Sequence, residues 1–327
     1  MKQLKSFKNQ VLNQQIEDFS EMALDLFHYQ ADNNAIYNKY IATLGVEVSQ
    51  IKSIDQIPFM PIEFFKHHQI KTTKWKEEYV FLSSGTTKSV RSKHFIQDLD
   101  FYSNLSSKLF FQEFGELKND MILGLLPSYA EQGQSSLLHM VDNLMSDSKE
   151  SGYCLDDLNQ LEKRIHAGLE KFNRVILFGV GYALLDFVSQ VSNKLDGLII
   201  IETGGMKGRR EELTKEEFYK ILKQSLGDVN ICSEYGMTEM MSQCYSFGDH
   251  YYSCPSSVNI IVRDLQDPFS YVEDNKTGGI NVIDLGNVHS CAFLETQDIG
   301  RKQKNGTFEV LGRIDNADIR GCNLLVG

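Results

Sequence analysis

The densest set of chemically useful side chains lies between positions 83 and 94, where the chain reads SSGTTKSVRSKH. The hydroxyls of Ser83, Ser84, Thr86 and Thr87, on a backbone loosened by Gly85, are suited to wrapping phosphate oxygens. Arg91 and Lys93 bring the positive charge that a triphosphate requires. The segment is not a Walker loop, because no Gly-Lys-Ser/Thr closes it. By composition alone it is also an ordinary polar turn, and the basic residues behind it shift the balance.

A second motif, Ser233-Glu234-Tyr235-Gly236-Met237-Thr238-Glu239, follows the strand-like DVNIC. Ligand crevices in α/β sheets open at the carboxyl ends of strands, so the position favours binding. Tyr235 offers a ring for a base, Thr238 a hydroxyl for a phosphate, and Glu239 a hard oxygen ligand for Mg²⁺. The plainer reading is a strand exit with a solvated glutamate. A third motif, ETGGMKGR from Glu202, places Gly204 and Gly205 where a backbone must approach a flat ligand, or where a simple βα turn ends a strand. Two later segments, Thr296–Gly300 and Gly312–Asn316, contribute Asp298 and Arg313, which suit ribose hydroxyls. Both also read as hairpin turns.

The elements that must carry these residues show in the hydrophobic pattern. Residues 10–45 repeat apolar positions at helical spacing, giving a helical segment over about 1–50. Apolar, Val/Ile-rich runs at 121–127, 174–180, 197–202 and 228–235 read as strands. Helical patterns over 134–145, 155–172, 182–195 and 214–226 alternate with them, which predicts a mostly parallel, covered sheet. From about 250 to 327 short strands follow one another closely, predicting a β-rich, antiparallel or barrel-like portion of the same unit. The expected fold is α/β, with residues 1–327 as one large domain.

Composition narrows the function. The 327 residues are 42% hydrophobic and 24% charged, ordinary for a globular protein. A net charge of −11 argues against a general nucleic-acid binder. The six cysteines form no Cys-x-x-Cys pair and so suggest no zinc site. MKQLKSFKNQ lacks the apolar run of a signal peptide, and no stretch approaches the roughly 18 apolar residues of a membrane span. A cytoplasmic enzyme without a membrane span is expected, and a homo-oligomer is compatible with the chain.

No one motif is decisive, but their order is specific. A Ser/Thr/Gly loop, Gly-Gly after a strand, Tyr-Gly-x-Thr-Glu, Thr-x-Asp-x-Gly and Gly-Arg-x-Asp together resemble the adenylate-forming superfamily of acyl-CoA synthetases and firefly-type luciferases. IPFMPIEFFK, SSGTTKSVRSKH, ETGGMKGR and LGRIDNADIRGCNLLV look more closely like the acyl-protein synthetases (LuxE-type) of bacterial bioluminescence, over about residues 55–326. That resemblance implies a ligase that uses ATP and Mg²⁺ to convert a fatty acid to an acyl-adenylate. The acyl group then passes to an enzyme cysteine and on to an acyl-protein reductase or other acceptor protein.

Carried onto this chain, Ser83, Ser84, Gly85, Thr86 and Thr87 with Arg91 and Lys93 would hold the phosphates. Gly204, Gly205 and Tyr235 would frame the adenine, and Gly236 would also belong to the ATP site. Thr238 would touch the α-phosphate, Glu239 would hold Mg²⁺, and Asp298 and Arg313 would bind the ribose. Cys322, beside Arg320, matches the family's near-terminal acyl acceptor, and a neighbouring cation favours a thiolate. Two departures stand out: Lys88 replaces a usual loop glycine, and the sequence lacks the small lid domain that follows Gly-Arg-x-Asp in relatives. Arg91 or Lys93 would then supply the charge of the lid's lysine. Phe59, Phe64, Phe65, Leu125, Pro127, Tyr129, Ser135, Ser136 and His139 are candidates for the acyl pocket, with ordinary packing the simpler account of each. An acyl- or aryl-CoA ligase and a non-catalytic nucleotide-binding subunit are the rival readings.

Overall fold

The computed structural model describes residues 2–84, 90–126, 133–146, 148–154, 157–204 and 213–314. A six-stranded sheet forms one half. Its strands are β4 (Asp120–Leu125), β5 (Gly152–Tyr153), β6 (Arg174–Gly179), β7 (Ile199–Thr203), β8 (Asn230–Tyr235) and β9 (Cys244–Ser246), in the order β5-β4-β6-β7-β8-β9. All neighbours are parallel except β8 and β9. β4 and β6 are buried almost throughout, as strands covered on both faces must be. The helical patterns between them appear as α6 (Ser136–Met145), α7 (Leu158–Lys171), α8 (Gly181–Val188) and α9 (Lys215–Leu226).

The other half is a five-stranded sheet of β1 (Met60–Pro61), β10 (Val258–Arg263), β11 (Gly278–Asp284), β12 (Phe293–Lys302) and β13 (Phe308–Arg313). Here the strands are antiparallel except for β1 against β12. Among the described residues this sheet is open, so the barrel-like alternative does not hold. A hairpin of β2 (Tyr79–Leu82) and β3 (Lys93–Ile96) stands apart and carries the Ser/Thr/Gly loop at its tip.

The helical N-terminal segment is three helices rather than one: α1 (Lys2–Asn13), α2 (Phe19–Asn33) and α3 (Ala35–Thr43). Capping chemistry breaks it. Asp18 accepts from Glu21 N at 3.0 Å, and Asn34 accepts from Tyr37 N at 3.1 Å while closing the helix before it. The buried amides of Gln30 and Asn34 then donate to Asn287 O and Ser290 O, tying these helices to the segment after β11.

Two α-helices were not foreseen. The short α4 (Phe64–His67) follows β1. The second is α5 (Leu99–Phe114), 16 residues long, which is capped by Asp98, stops at Gly115 with φ 74°, and packs on α6. β12, ten residues long, runs through the segment Thr296–Gly300, for which a hairpin turn was one reading. Its interior holds buried Thr296, so polarity disguised a strand. The apolar run TFEVLGR at 307–313, strand-like in sequence, is β13, and Gly312 and Arg313 lie in it, paired with Ile299 and Asp298.

Candidate functional site

The motifs meet where the carboxyl ends of β7 and β8 face the second sheet. The register sets Glu202 beside Ser233 and Thr203 beside Glu234. Alternation along β8 then sorts its side chains between the two faces. Ser233 points toward α9, accepting from Tyr219 Oη at 2.6 Å and from Lys215 Nζ at 3.1 Å. Glu234 points the other way, where Thr203 donates to its Oε2. Gly204 ends β7 with φ +69°, a conformation that glycine adopts without strain.

Tyr235, Asp298 and Arg313, from three separate motifs, form one cluster. Tyr235 Oη donates to Asp298 Oδ2 at 2.9 Å, and Arg313 Nε lies 3.4 Å from Asp298 Oδ1. Burial raises the Asp298 pKa above the usual carboxylate value, against the opposing charge of Arg313. Burial, reinforced by Asp298, holds the Tyr235 phenol well above its ordinary value. The Tyr235 ring rests on Tyr252 and Phe308, with centroids 5.8 and 5.2 Å away. Arg313 remains largely exposed, with its guanidinium at the mouth of the cluster.

Glu239 is buried, not a solvated turn residue. Burial raises its pKa, opposed first by a hydrogen bond from Ser92 and then by the charges of Arg313 and Lys66. Thus the Ser/Thr/Gly loop and the Tyr-Gly-x-Thr-Glu turn touch through Ser92 and Glu239. The loop's neck is tightly built. Ser83 and Ser92 bond twice, Ser83 N to Ser92 O at 3.1 Å and Ser92 N to Ser83 Oγ at 2.9 Å. Arg91 is turned back onto this neck, donating to the carbonyls of Ser83 and Leu82. Lys93 is exposed at the start of β3. Gly85, Thr86, Thr87, Gly205 and Cys322 lie outside the described residues, as do Pro127 and Tyr129.

Several positioning residues escaped sequence reading. His94 is buried between the motifs, donating from Nδ1 to Thr238 O at 2.8 Å and accepting at Nε2 from Ser290 Oγ at 3.0 Å. A carbonyl can only accept, which fixes this tautomer, and burial holds the imidazole pKa down to about 4. Asp284, fully buried, accepts from Met241 N, Ser242 N, Ser242 Oγ and Gly286 N. Asn287 Nδ2 donates to Glu239 O at 2.9 Å. Lys215 joins Glu202, Ser233 and Tyr252 on the α9 side; burial opposes its charge, but Glu202 outweighs it and raises its pKa.

The acyl-pocket candidates separate. Phe59 and Phe65 are core residues, packed on Phe293 and His94, and Phe64 packs on Tyr40. Leu125 is buried in the other core. Ser135 caps α6, and Ser136 O accepts from Tyr102 Oη at 3.0 Å. His139 bonds Ser103 at 2.8 Å among the rings of Tyr79, Phe81 and Tyr102. The five cysteines among the described residues are free. No helix among them is long and apolar enough to cross a membrane.

A single carboxylate with substrate phosphates is a common protein contribution to Mg²⁺ binding, and Glu239 fits it. Among the described residues no group of three or more His, Cys, Asp and Glu could hold a metal by itself. Any ion at Glu239 would therefore need oxygen ligands besides the described His, Cys, Asp and Glu side chains.

No family model and no curated protein matches the sequence. Solved structures do match. ATP-bound MatB from Rhodopseudomonas palustris aligns with TM-score 0.54 and 16% identity, over 72% of this chain and 47% of that one. A 2-hydroxyisobutyryl-CoA ligase in complex with 2-HIB-AMP and CoA aligns in its open conformation with TM-score 0.68 and 12% identity, over 94% and 70%. In its thioesterification state the TM-score is 0.69. The chain spans about half the length of the MatB structures it matches. At these identities the likeness is one of architecture: the chain has the α/β fold of adenylate-forming ligases.

Proposed function

We propose that the protein activates a carboxylic acid by adenylation. The acid's carboxylate oxygen attacks the α-phosphorus of ATP, the bond to the β-phosphate oxygen breaks, and acyl-adenylate and pyrophosphate result. The observation that carries this reading is the convergence of two clusters, Tyr235–Asp298–Arg313 and Ser92–Glu239, where the carboxyl ends of β7 and β8 meet the second sheet. The neighbouring structures that hold ATP or an acyl-AMP support it.

Each residue has a definable part. Tyr235 and Gly204 would flank the adenine, and Asp298 with Arg313 would accept from and donate to the ribose. Ser83, Ser84 and the loop beyond them would hold phosphates by backbone and hydroxyl donors. Mg²⁺, held by Glu239, would neutralise phosphate charge. Arg91 would shape the loop from its neck, and Lys93 would add positive charge. His94 and Asp284 would keep the Thr238–Glu239 turn aimed at the phosphates.

The resemblance to acyl-protein synthetases extends the proposal to a fatty acid, with transfer of the acyl group to the Cys322 thiol and then to a partner protein. In that step the thiolate attacks the acyl carbon and AMP leaves. Acid-dependent exchange of pyrophosphate into ATP tests the first half; Cys322→Ser, which should abolish hydroxylamine-labile acyl labelling, tests the second. Full labelling of the variant would reject Cys322. A CoA ligase is the second reading, favoured by a match covering 94% of the chain to a ligase that holds CoA. Formation of a thioester with free CoA would select it.

A further inference from the structure

We propose that Glu234 and Gln243 form a polar subsite that selects an acid bearing a hydroxyl or amino donor close to its carboxyl group. The inference rests on the adenylation reading and narrows its substrate class. Glu234 directly precedes the Tyr-Gly-x-Thr-Glu motif.

The geometry begins with strand alternation. Glu234 lies opposite Tyr245 on β9 and beside Thr203 on β7, so their side chains share the face away from α9. Gln243 lies just before β9 and is only 5% exposed. Its Oε1 has no hydrogen-bond partner among the described residues. Both side chains converge on Gly236. A Cβ there would collide with Glu234 Oε1 and come within 3.5 Å of Gln243 Cγ. The bare glycine therefore leaves room for two acceptor-bearing side chains beside the backbone of the motif that the adenylation reading assigns to the nucleotide.

An unpaired carbonyl buried this deeply is uncommon, because buried acceptors almost always find donors. Here the protein supplies Glu234 with Thr203 alone among the described side chains. Burial, reinforced by the charge of Glu202, brings the Glu234 carboxyl to about 7, so it adapts to either a hydroxyl or an ammonium. A purely hydrocarbon chain placed here would leave Gln243 Oε1 unpaired. A donor on the carbon next to the carboxyl, or one further, would satisfy it. Sites built this way discriminate strongly against analogues lacking the donor, because the protein's own polar groups are then stranded.

The test is acid-dependent pyrophosphate exchange with chain-matched panels: plain acids, 2- and 3-hydroxy acids, and 3-amino acids. The wild type should favour one donor-bearing class by about tenfold or more in kcat/KM. The hydroxy and amino panels show which donor it takes. In Gln243→Met and Glu234→Gln the ratio of donor-bearing to plain acid should fall, with folding checked by thermal unfolding. Equal activation of plain and donor-bearing acids by the wild type overturns the subsite while leaving adenylation standing. Exchange with no acid at all overturns both. Should a variant fail to fold, the wild-type panel decides alone.

Discussion

At the residue scale, burial changes what each acidic side chain can do. Glu234, Glu239, Asp284 and Asp298 all have pKa values raised by desolvation, and each is held by neighbours that differ in kind. For Glu234 the consequence is measurable. Its folded pKa of about 7 exceeds the ordinary 4.5, so the folded state holds the proton more tightly. Stability from this group is therefore present below pH 4.5 and lost as pH rises toward 7, on the order of 3 kcal/mol in total. Glu234→Gln should remove that slope, so the stability difference between wild type and variant should shift between pH 5 and pH 8 in urea unfolding. A constant difference would contradict it. For Arg313, Arg313→Met should raise the KM for ATP by about tenfold or more while leaving stability almost untouched, since the side chain is mostly exposed. Steady-state kinetics and thermal unfolding read the two separately.

The residues legible in the sequence were those whose type announces a ligand and whose position follows an apolar run: Tyr235, Glu239 and Gly204. Those that were missed do their work from burial. Asp284 sits inside the apolar run GINVIDLG, where a lone acid looks like an interruption. It is instead the acceptor that four donors need. His94 ended the phosphate loop in sequence, yet in the fold it bridges that loop's exit strand to Thr238.

Elements decide how the motifs meet. The loop neck between β2 and β3 is closed by Ser83, Ser92 and Arg91. Arg91 acts there through two carbonyls, which a planar guanidinium reaches and a lysine does not. Arg91→Lys should therefore lower kcat/KM for ATP nearly as much as Arg91→Met, whereas rescue by lysine would show that charge alone matters. Asp284 does for the 240–242 turn what Arg91 does for the neck. In Asp284→Asn an amide group would confront backbone N–H donors, costing about 2–4 kcal/mol in stability by chemical unfolding. An unchanged midpoint would contradict the role of Asp284 as a brace. The element most misjudged from sequence is β12. The segment Thr296–Gly300 also reads as a hairpin turn, but in the fold strand pairing with β11 and β13 supports its polar residues. Cross-strand partners are not visible in a linear pattern, whereas the parallel strands, apolar on both faces, were.

For the whole molecule, the fold was the most legible level. Alternating strand and helix patterns followed by a β-rich tail correspond to two sheets that meet at the motifs. The open form of the second sheet and the three-way split of the N-terminal helix were set by pairing and capping. The central claim is that this meeting point activates a carboxylic acid. It is tested most directly by incubating the purified protein with ATP, Mg²⁺, labelled pyrophosphate and a broad panel of acids. The account predicts label entering ATP only when a suitable acid is present, and its loss in Asp298→Asn. Label entering ATP without acid, or none with any acid, would contradict it.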